Sequence, residues 1–297
     1  MKSVQLADLC DSNNPDAVFK EVKQLFRLHY SYETFTAVEK SYILVKKLFT
    51  GTLKGYRGCN TEYHDLNHTM SVLLASARIL DGINIERKII NSETAASLLS
   101  AALLHDAGYI QEEWDIDGTG AKYMPDHVER SAEFLKKNIN EIGLDINGAA
   151  SVEKLIRCTH LKVCPADITF SSDGERIAAG ILATADVLGK MSDRMYLEKL
   201  TFLYRELQEA GIEGMTTEFD IIRKTMDFYS ATMMSLNDSC EKLYRYAAVH
   251  FKERHSIDSN LYMSAIRRNI AYLYMILDDK STNFRNKLKR NMALPAA

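Results

Sequence analysis

AASLLSAALLHDAGY, residues 95–109, is the stretch on which the reading of this chain turns. Its first ten residues hold only two serines as polar groups, and the run ends on His105-Asp106. A segment apolar on every side reads as a helix buried in a core, since a surface helix shows a polar face. An ionised carboxylate at that point is costly unless it is paired or bound to a cation. No Lys or Arg stands three or four positions from Asp106 to neutralise it. The bland alternative is an aspartate bonded to a neighbouring helix end. IAAGILATADVLGKM, residues 177–191, repeats the problem at Asp186. Lys190, one turn away, offers an ordinary salt bridge there. A divalent cation between the two aspartates would remove both desolvation penalties at once.

Outward from these two segments, the chain reads as helical throughout. Its 297 residues include only 14 glycines and 4 prolines, too few backbone punctuators for a turn-rich fold. Asn14-Pro15 marks an N-cap and first helical residue for a helix to about Tyr30. A second helix spans Ala37 to Phe49, and the glycine-bearing stretch from Thr50 to Tyr63 is a loop. The next helix is expected from His64 to Leu80, stopping at Asp81-Gly82, and Ser92 opens the one after it. Gln111 to Pro125 reads as an acidic loop, with helices near 126–139 and 149–161. Ser172 and Glu175 fit a capping box for a helix to about Lys190. Amphipathic patterns follow at 193–210, 217–236, 238–254 and 257–279, with Gly211 as a helix-ending residue. No period-two alternation demands a strand. The fold expected is all-α, one domain over 1–297 with its functional core at about 60–200.

The formal charge of −3 and the pI near 6.3 provide no basic field for nucleic acid or anionic lipid. No apolar run reaches the roughly 18 residues a membrane span needs, and the N-terminus lacks a signal-peptide core. Five cysteines without a CxxC pair point to reduced thiols and a cytoplasmic protein.

Histidines supply the other half of the chemistry. His64 and His68 are four apart and would share a face if helical. His127 sits in the first turn of its helix, and His160 at the edge of an apolar stripe. Any one alone is more often a satisfied core histidine than a ligand. Four or more imidazoles together with two buried aspartates are the ligand set of a paired transition-metal site.

The order H…HD…H…H…D, with ALLHDAGY, CTH at 158–160 and TADVLGKMSDR at 184–194, resembles the HD-domain superfamily of metal-dependent phosphohydrolases. The resemblance covers about residues 60–200. It implies an all-α, phosphodiesterase-like helical bundle and two divalent ions, of Mn, Fe, Mg, Zn, Ni or Co. His68, His105, Asp106 and Asp186 would hold one ion, and His127, His160 and a bridging Asp106 the other. YHDLNH, residues 63–68, is similar to the catalytic segment of cyclic nucleotide phosphodiesterases, and this assigns His64 the role of leaving-group acid. Histidines at both 127 and 160 depart from those enzymes and imply a more protein-ligated second metal, and the lack of a glutamine–phenylalanine purine clamp near the C-terminus argues against a cyclic mononucleotide. The GYP, HDxxED and HDxGHPPFGH signatures of other HD subfamilies are missing. The expected activity is hydrolysis of a small-molecule phosphomonoester or phosphodiester by water activated between two metals. An HD-type di-iron oxygenase and a non-catalytic signalling module are the rivals. His64 disfavours the first, and an intact ligand set disfavours the second.

Other signals are weaker. Arg130 and Arg157 stand near His127 and His160 and could clamp a phosphate, although Asp126–Arg130 and Glu153–Arg157 are also ordinary helical pairs. Gly118-Thr119-Gly120 follows no strand and reads as a plain loop. The tail with Lys280, Arg285, Lys287, Lys289 and Arg290 reads as a solvated helix end. The Tyr- and Met-rich helices after 195 read as core or as a homodimer face.

Overall fold

The computed structural model describes residues 4–159 and 168–288. These form an all-α fold of twelve α-helices with short 3-10 turns, and the one β-type pairing among them is an isolated bridge between Tyr56 and Glu112. The helices are α1 Leu6–Leu9, α2 Pro15–Arg27, α3 Thr36–Phe49, α4 Leu66–Glu86, α5 Ser92–Leu104 and α6 His127–Ile142. They continue with α7 Ile146–Arg157, α8 Asp173–Met191, α9 Tyr196–Glu209, α10 Glu218–Asn237, α11 Tyr246–His255 and α12 Leu261–Asp278.

Local chemistry sets most of these boundaries. Asn14 Oδ1 accepts from the Ala17 amide at 3.1 Å, with Pro15 at the first helical position of α2. Asp65 caps α4 by accepting from the His68 amide at 2.8 Å. Gly143 and Gly211 close α6 and α9 in left-handed backbone, at φ +77° and +68°. Ser172 caps α8, but Glu175 does not return the bond. Its carboxylate instead accepts from the Ser171 amide at 2.6 Å and from Lys154 at 2.9 Å.

α4 and α5 form the centre, as their unrelieved apolar character requires. Every residue of α5 from Ala95 to Leu104 is buried, and α4 packs against α2, α5, α8 and α11. One cluster of buried apolar side chains draws on every helix from α2 to α12.

Two expectations at α4 need correction. The helix does not stop at Asp81-Gly82 but runs through to Glu86. Gly82 is there for packing, since a Cβ would lie 1.9 Å from the Tyr246 carbonyl oxygen of α11. Asp81 is buried and anchored from outside the helix, as described below. The helix also begins after His64, which lies in the bend before the Asp65 cap and so does not share a helical face with His68.

No helix among the described residues is long and apolar enough to cross a membrane. Cys10, Cys59, Cys158 and Cys240 are free thiols, and Cys164 lies outside the described residues.

Candidate metal centre

Three chain segments deliver the ligands to one point. His68 stands in the first turn of α4, His105 caps the C-terminus of α5 with Asp106 directly after it, and Asp186 projects from α8. The Nε2 atoms of His68 and His105 each lie 3.3 Å from Asp106 Oδ2. Asp186 Oδ1 lies 3.1 Å from His68 Nε2 and 3.8 Å from His105 Nε2. Ligand atoms of His68, His105 and Asp106 all fall within 4.8 Å of one another, the span of a coordination sphere.

The chemistry of these atoms fits a cation. All four (His68 Nε2, His105 Nε2, Asp106 Oδ2 and Asp186 Oδ1) are buried and lack a hydrogen bond of good geometry. Buried polar atoms are almost always paired, so these four, converging on one point from three chain segments, can hold a cation. The outer contacts orient the rings for it. His105 Nδ1 donates to the Ala102 carbonyl at 2.9 Å, which leaves Nε2 turned toward Asp106. Burial lowers the His105 pKa, but the neighbouring Asp106 and Asp186 outweigh it and raise it above the ordinary value. Burial raises the Asp106 pKa, but the His105 and His68 rings outweigh it and hold the carboxyl well below the usual range. Lys190 Nζ reaches both oxygens of Asp186, at 2.9 and 3.0 Å, so the expected salt bridge is present beside the orphaned contact.

The other Asp106 oxygen looks a different way. Oδ1 lies 3.9 Å from His127 Nε2, and the His127 Nδ1 donates to the Met124 carbonyl at 2.7 Å. Burial pushes the His127 imidazole below its ordinary pKa, which keeps that Nε2 a lone pair. Asp106 thus presents one oxygen to the His68–His105 side and the other to His127. His160 lies outside the described residues. Gly108 makes the approach possible, because a Cβ there would lie 2.0 Å from the His127 carbonyl oxygen.

His64 lies beside this cluster, its ring centroid 6.0 Å from that of His68. Two of its neighbours had no signal in the sequence. Glu206, on amphipathic α9, accepts from His64 Nδ1 at 2.7 Å and from the Tyr63 amide at 2.6 Å. Tyr109 is sandwiched between His64 and His127, with ring centroids at 4.4 and 4.6 Å.

The two arginines expected to bind phosphate are not brought into this group. Arg130 donates to the Gly108 and Ile110 carbonyls at 2.8 and 3.0 Å and to Glu112 at 3.1 Å, with its guanidinium over the Tyr123 ring. Arg157 pairs with Glu129 and, at 2.9 Å, with Glu153. These are fold contacts: Arg130 clamps the turn that follows the dyad, and Arg157 ties α7 to α6.

The loop after the dyad is internally tied and leans on the site. Lys122 and Tyr123 both bond the Asp115 carboxylate, and Gln111 donates to the Asp115 and Asp117 carbonyls. Thr119 bonds Glu209, one turn along α9 from Glu206. Trp114 at its tip is 79% exposed.

A family model described as Npun_R2479-like matches residues 112–267, more than half of the chain. That stretch carries His127, Asp186, Lys190 and Glu206, while His64, His68, His105 and Asp106 lie before it. No curated protein matches the chain.

Proposed function

The chain belongs to the Npun_R2479-like family, and we propose that it is a metal-dependent phosphohydrolase of the HD type. The observation that carries it is the pairing of an orphaned His/Asp cluster with a separate, carboxylate-backed histidine at its edge.

His68, His105, Asp106 and Asp186 would hold one divalent ion, and His127 and the bridging Asp106 would hold a second, with His160 as the remaining ligand by resemblance. Such ions neutralise phosphoryl charge and lower the pKa of a water to near neutrality. The chain supplies the rest. The Glu206 carboxylate accepts from His64 Nδ1 and leaves Nε2 free of that contact. Once protonated, that ring sits beside a carboxylate and can deliver its Nε2 proton to the departing oxygen. Glu206 also fixes the Tyr63 backbone, so the acid and the segment leading into α4 move as one unit. An oxygenase has no leaving group to protonate, so the His64–Glu206 dyad favours the hydrolase.

Hydrolysis of phosphoesters with graded leaving groups tests the proposal. Protein purified without chelator should hydrolyse aryl phosphates in a metal-dependent way. His64→Ala should keep its metal and fold but lose roughly 10²–10⁴ in kcat on an alkyl phosphoester, the usual reach of general acid catalysis. The defect should shrink on p-nitrophenyl phosphate, whose leaving group departs with little protonation. An equal proportional loss on both substrates would remove His64 as the acid. Substrate-dependent O2 uptake without phosphoester hydrolysis would establish the oxygenase instead.

A further inference from the structure

α10 is the least covered of the long helices: of its twenty residues, Glu218–Asn237, only five are buried. Its main neighbours are α9 and α12. The sequence does not suit so peripheral a place. A helix face turned to water is ordinarily polar, yet α10 exposes Phe228 at 49% and Met234 at 66%, with Ala231 exposed between them. The adjacent α12 exposes Tyr274 at 58% and Met275 at 66%. Phenylalanine, tyrosine and methionine are the apolar types that collect where proteins meet.

The exposed stripe of α10 has the same plan read from either end. Phe228 and Met234 stand three residues before and after Ala231, one large apolar side chain on each flank. Lys224 and Asp238 stand seven residues before and after it, one charge of each sign, and both are exposed. Seven residues are close to two helical turns, so these two charges share the face of Ala231. The Lys224 ammonium also bonds the Gly214 carbonyl, which holds it at that end of the helix.

We propose that this stripe is the contact face of a homodimer in which α10 of two copies crosses antiparallel at Ala231. A two-fold contact uses one patch on both copies, so it requires a patch complementary to itself. Ala231 at the crossing leaves room for the helices to approach. The antiparallel arrangement sets Phe228 level with Met234 of the second copy, on either side of that contact. It also sets Lys224 against Asp238 of the second copy, whereas a parallel pair would oppose Lys224 to Lys224. An unrelated partner would not require a stripe symmetric about its middle.

Sedimentation equilibrium of the full chain over a range of concentrations tests this, with circular dichroism as the check on folding. Wild type should show a monomer–dimer equilibrium. Phe228→Glu should raise the dissociation constant about thirtyfold or more, as loss of a central aromatic anchor does, with helix content unchanged. Ala231→Cys reads the geometry separately, because a residue on the two-fold axis faces its own copy. Mild oxidation should give it a disulfide-linked dimer beyond whatever the native cysteines give in wild type, and Arg223→Cys, off the stripe, should give none. A monomer at every concentration would overturn the proposal, including one whose α10 is covered by another segment of the chain or by a different protein. A dimer that survives Phe228→Glu unchanged, or no added cross-link in Ala231→Cys, would overturn it as well.

Discussion

Helix α4 carries two buried His–Asp clusters toward its opposite ends, and they are built on opposite principles. At the C-terminal end, both oxygens of Asp81 have donors. His29 Nε2 and Arg254 reach Oδ1 at 2.7 and 2.8 Å, and His250 Nδ1 and the Arg254 Nε reach Oδ2 at 2.7 and 3.1 Å. At the N-terminal end, Asp106 and Asp186 face the Nε2 atoms of His68 and His105, and the convergent atoms have no well-formed hydrogen bond. Both group histidines around a buried aspartate. What differs is the source of positive charge: an arginine and ring N–H groups close the first cluster from within, while the second has one lysine against Asp106, Asp186 and Glu206. Among the described residues of the first cluster, His250 Nε2 alone is left over after the protein's own pairing, so a buried His/Asp group is a metal candidate where several such atoms converge.

The largest effect should come from opening the closed cluster. Asp81→Asn removes the charge that the buried His250 and the partly exposed His29 and Arg254 meet, and leaving those donors without it costs about 1–3 kcal/mol. Urea denaturation should show this loss with or without chelator, and metal content per folded protein should not change. Asp106→Asn should behave the other way: added Mn2+ should stabilise wild type through linkage but leave the variant unmoved. If Mn2+ stabilises both proteins equally, the distinction between the clusters collapses.

A smaller effect concerns pH. Burial lowers the His250 pKa despite the neighbouring Asp81, so the folded protein binds fewer protons there than the unfolded chain. A depressed group contributes stability above its unfolded pKa and loses it as pH falls through the folded one, so chelated protein should weaken on going from pH 7.5 to 5.5. Asp81 is depressed in the same sense: burial opposes this, but the bonds from His250, His29 and Arg254 prevail, so its share is lost only below the carboxylate range. His250→Asn keeps a donor for Asp81 and cannot titrate. It should reduce the pH 7.5-to-5.5 loss by roughly 1 kcal/mol, read from urea midpoints at the two pH values. An unchanged slope would show that His250 does not report on this cluster.

The two clusters also show what a single sequence can and cannot display. Asp106 and Asp186 were legible because each is a charged residue in an apolar helix, an anomaly visible within one window. The helical order was legible for the same reason, through caps such as Asn14 and Ser172 and through apolar periodicity. Asp81-Gly82 misled because a packing glycine and an anchored aspartate look like a helix stop until α11 is seen against them. Glu206 was invisible: it is one glutamate among several on an amphipathic helix, and only the fold brings it to His64, 142 positions away. Tyr109 gave no signal because stacking on two histidines from different segments is a tertiary fact. Arg130 and Arg157 were drawn toward the site by sequence proximity to histidines, but helix geometry turns them to carbonyls and glutamates instead.

The central claim is that the orphaned atoms around Asp106 hold divalent metal, and metal stoichiometry tests it most directly. Wild type, Asp106→Ala and Asp81→Asn would be purified in parallel without chelator and subjected to elemental analysis, with folding checked by circular dichroism. The account expects bound transition metal in wild type and in folded Asp81→Asn, and its loss from Asp106→Ala because that carboxylate faces both sets of ligands. Folded Asp106→Ala carrying as much metal as wild type would contradict it.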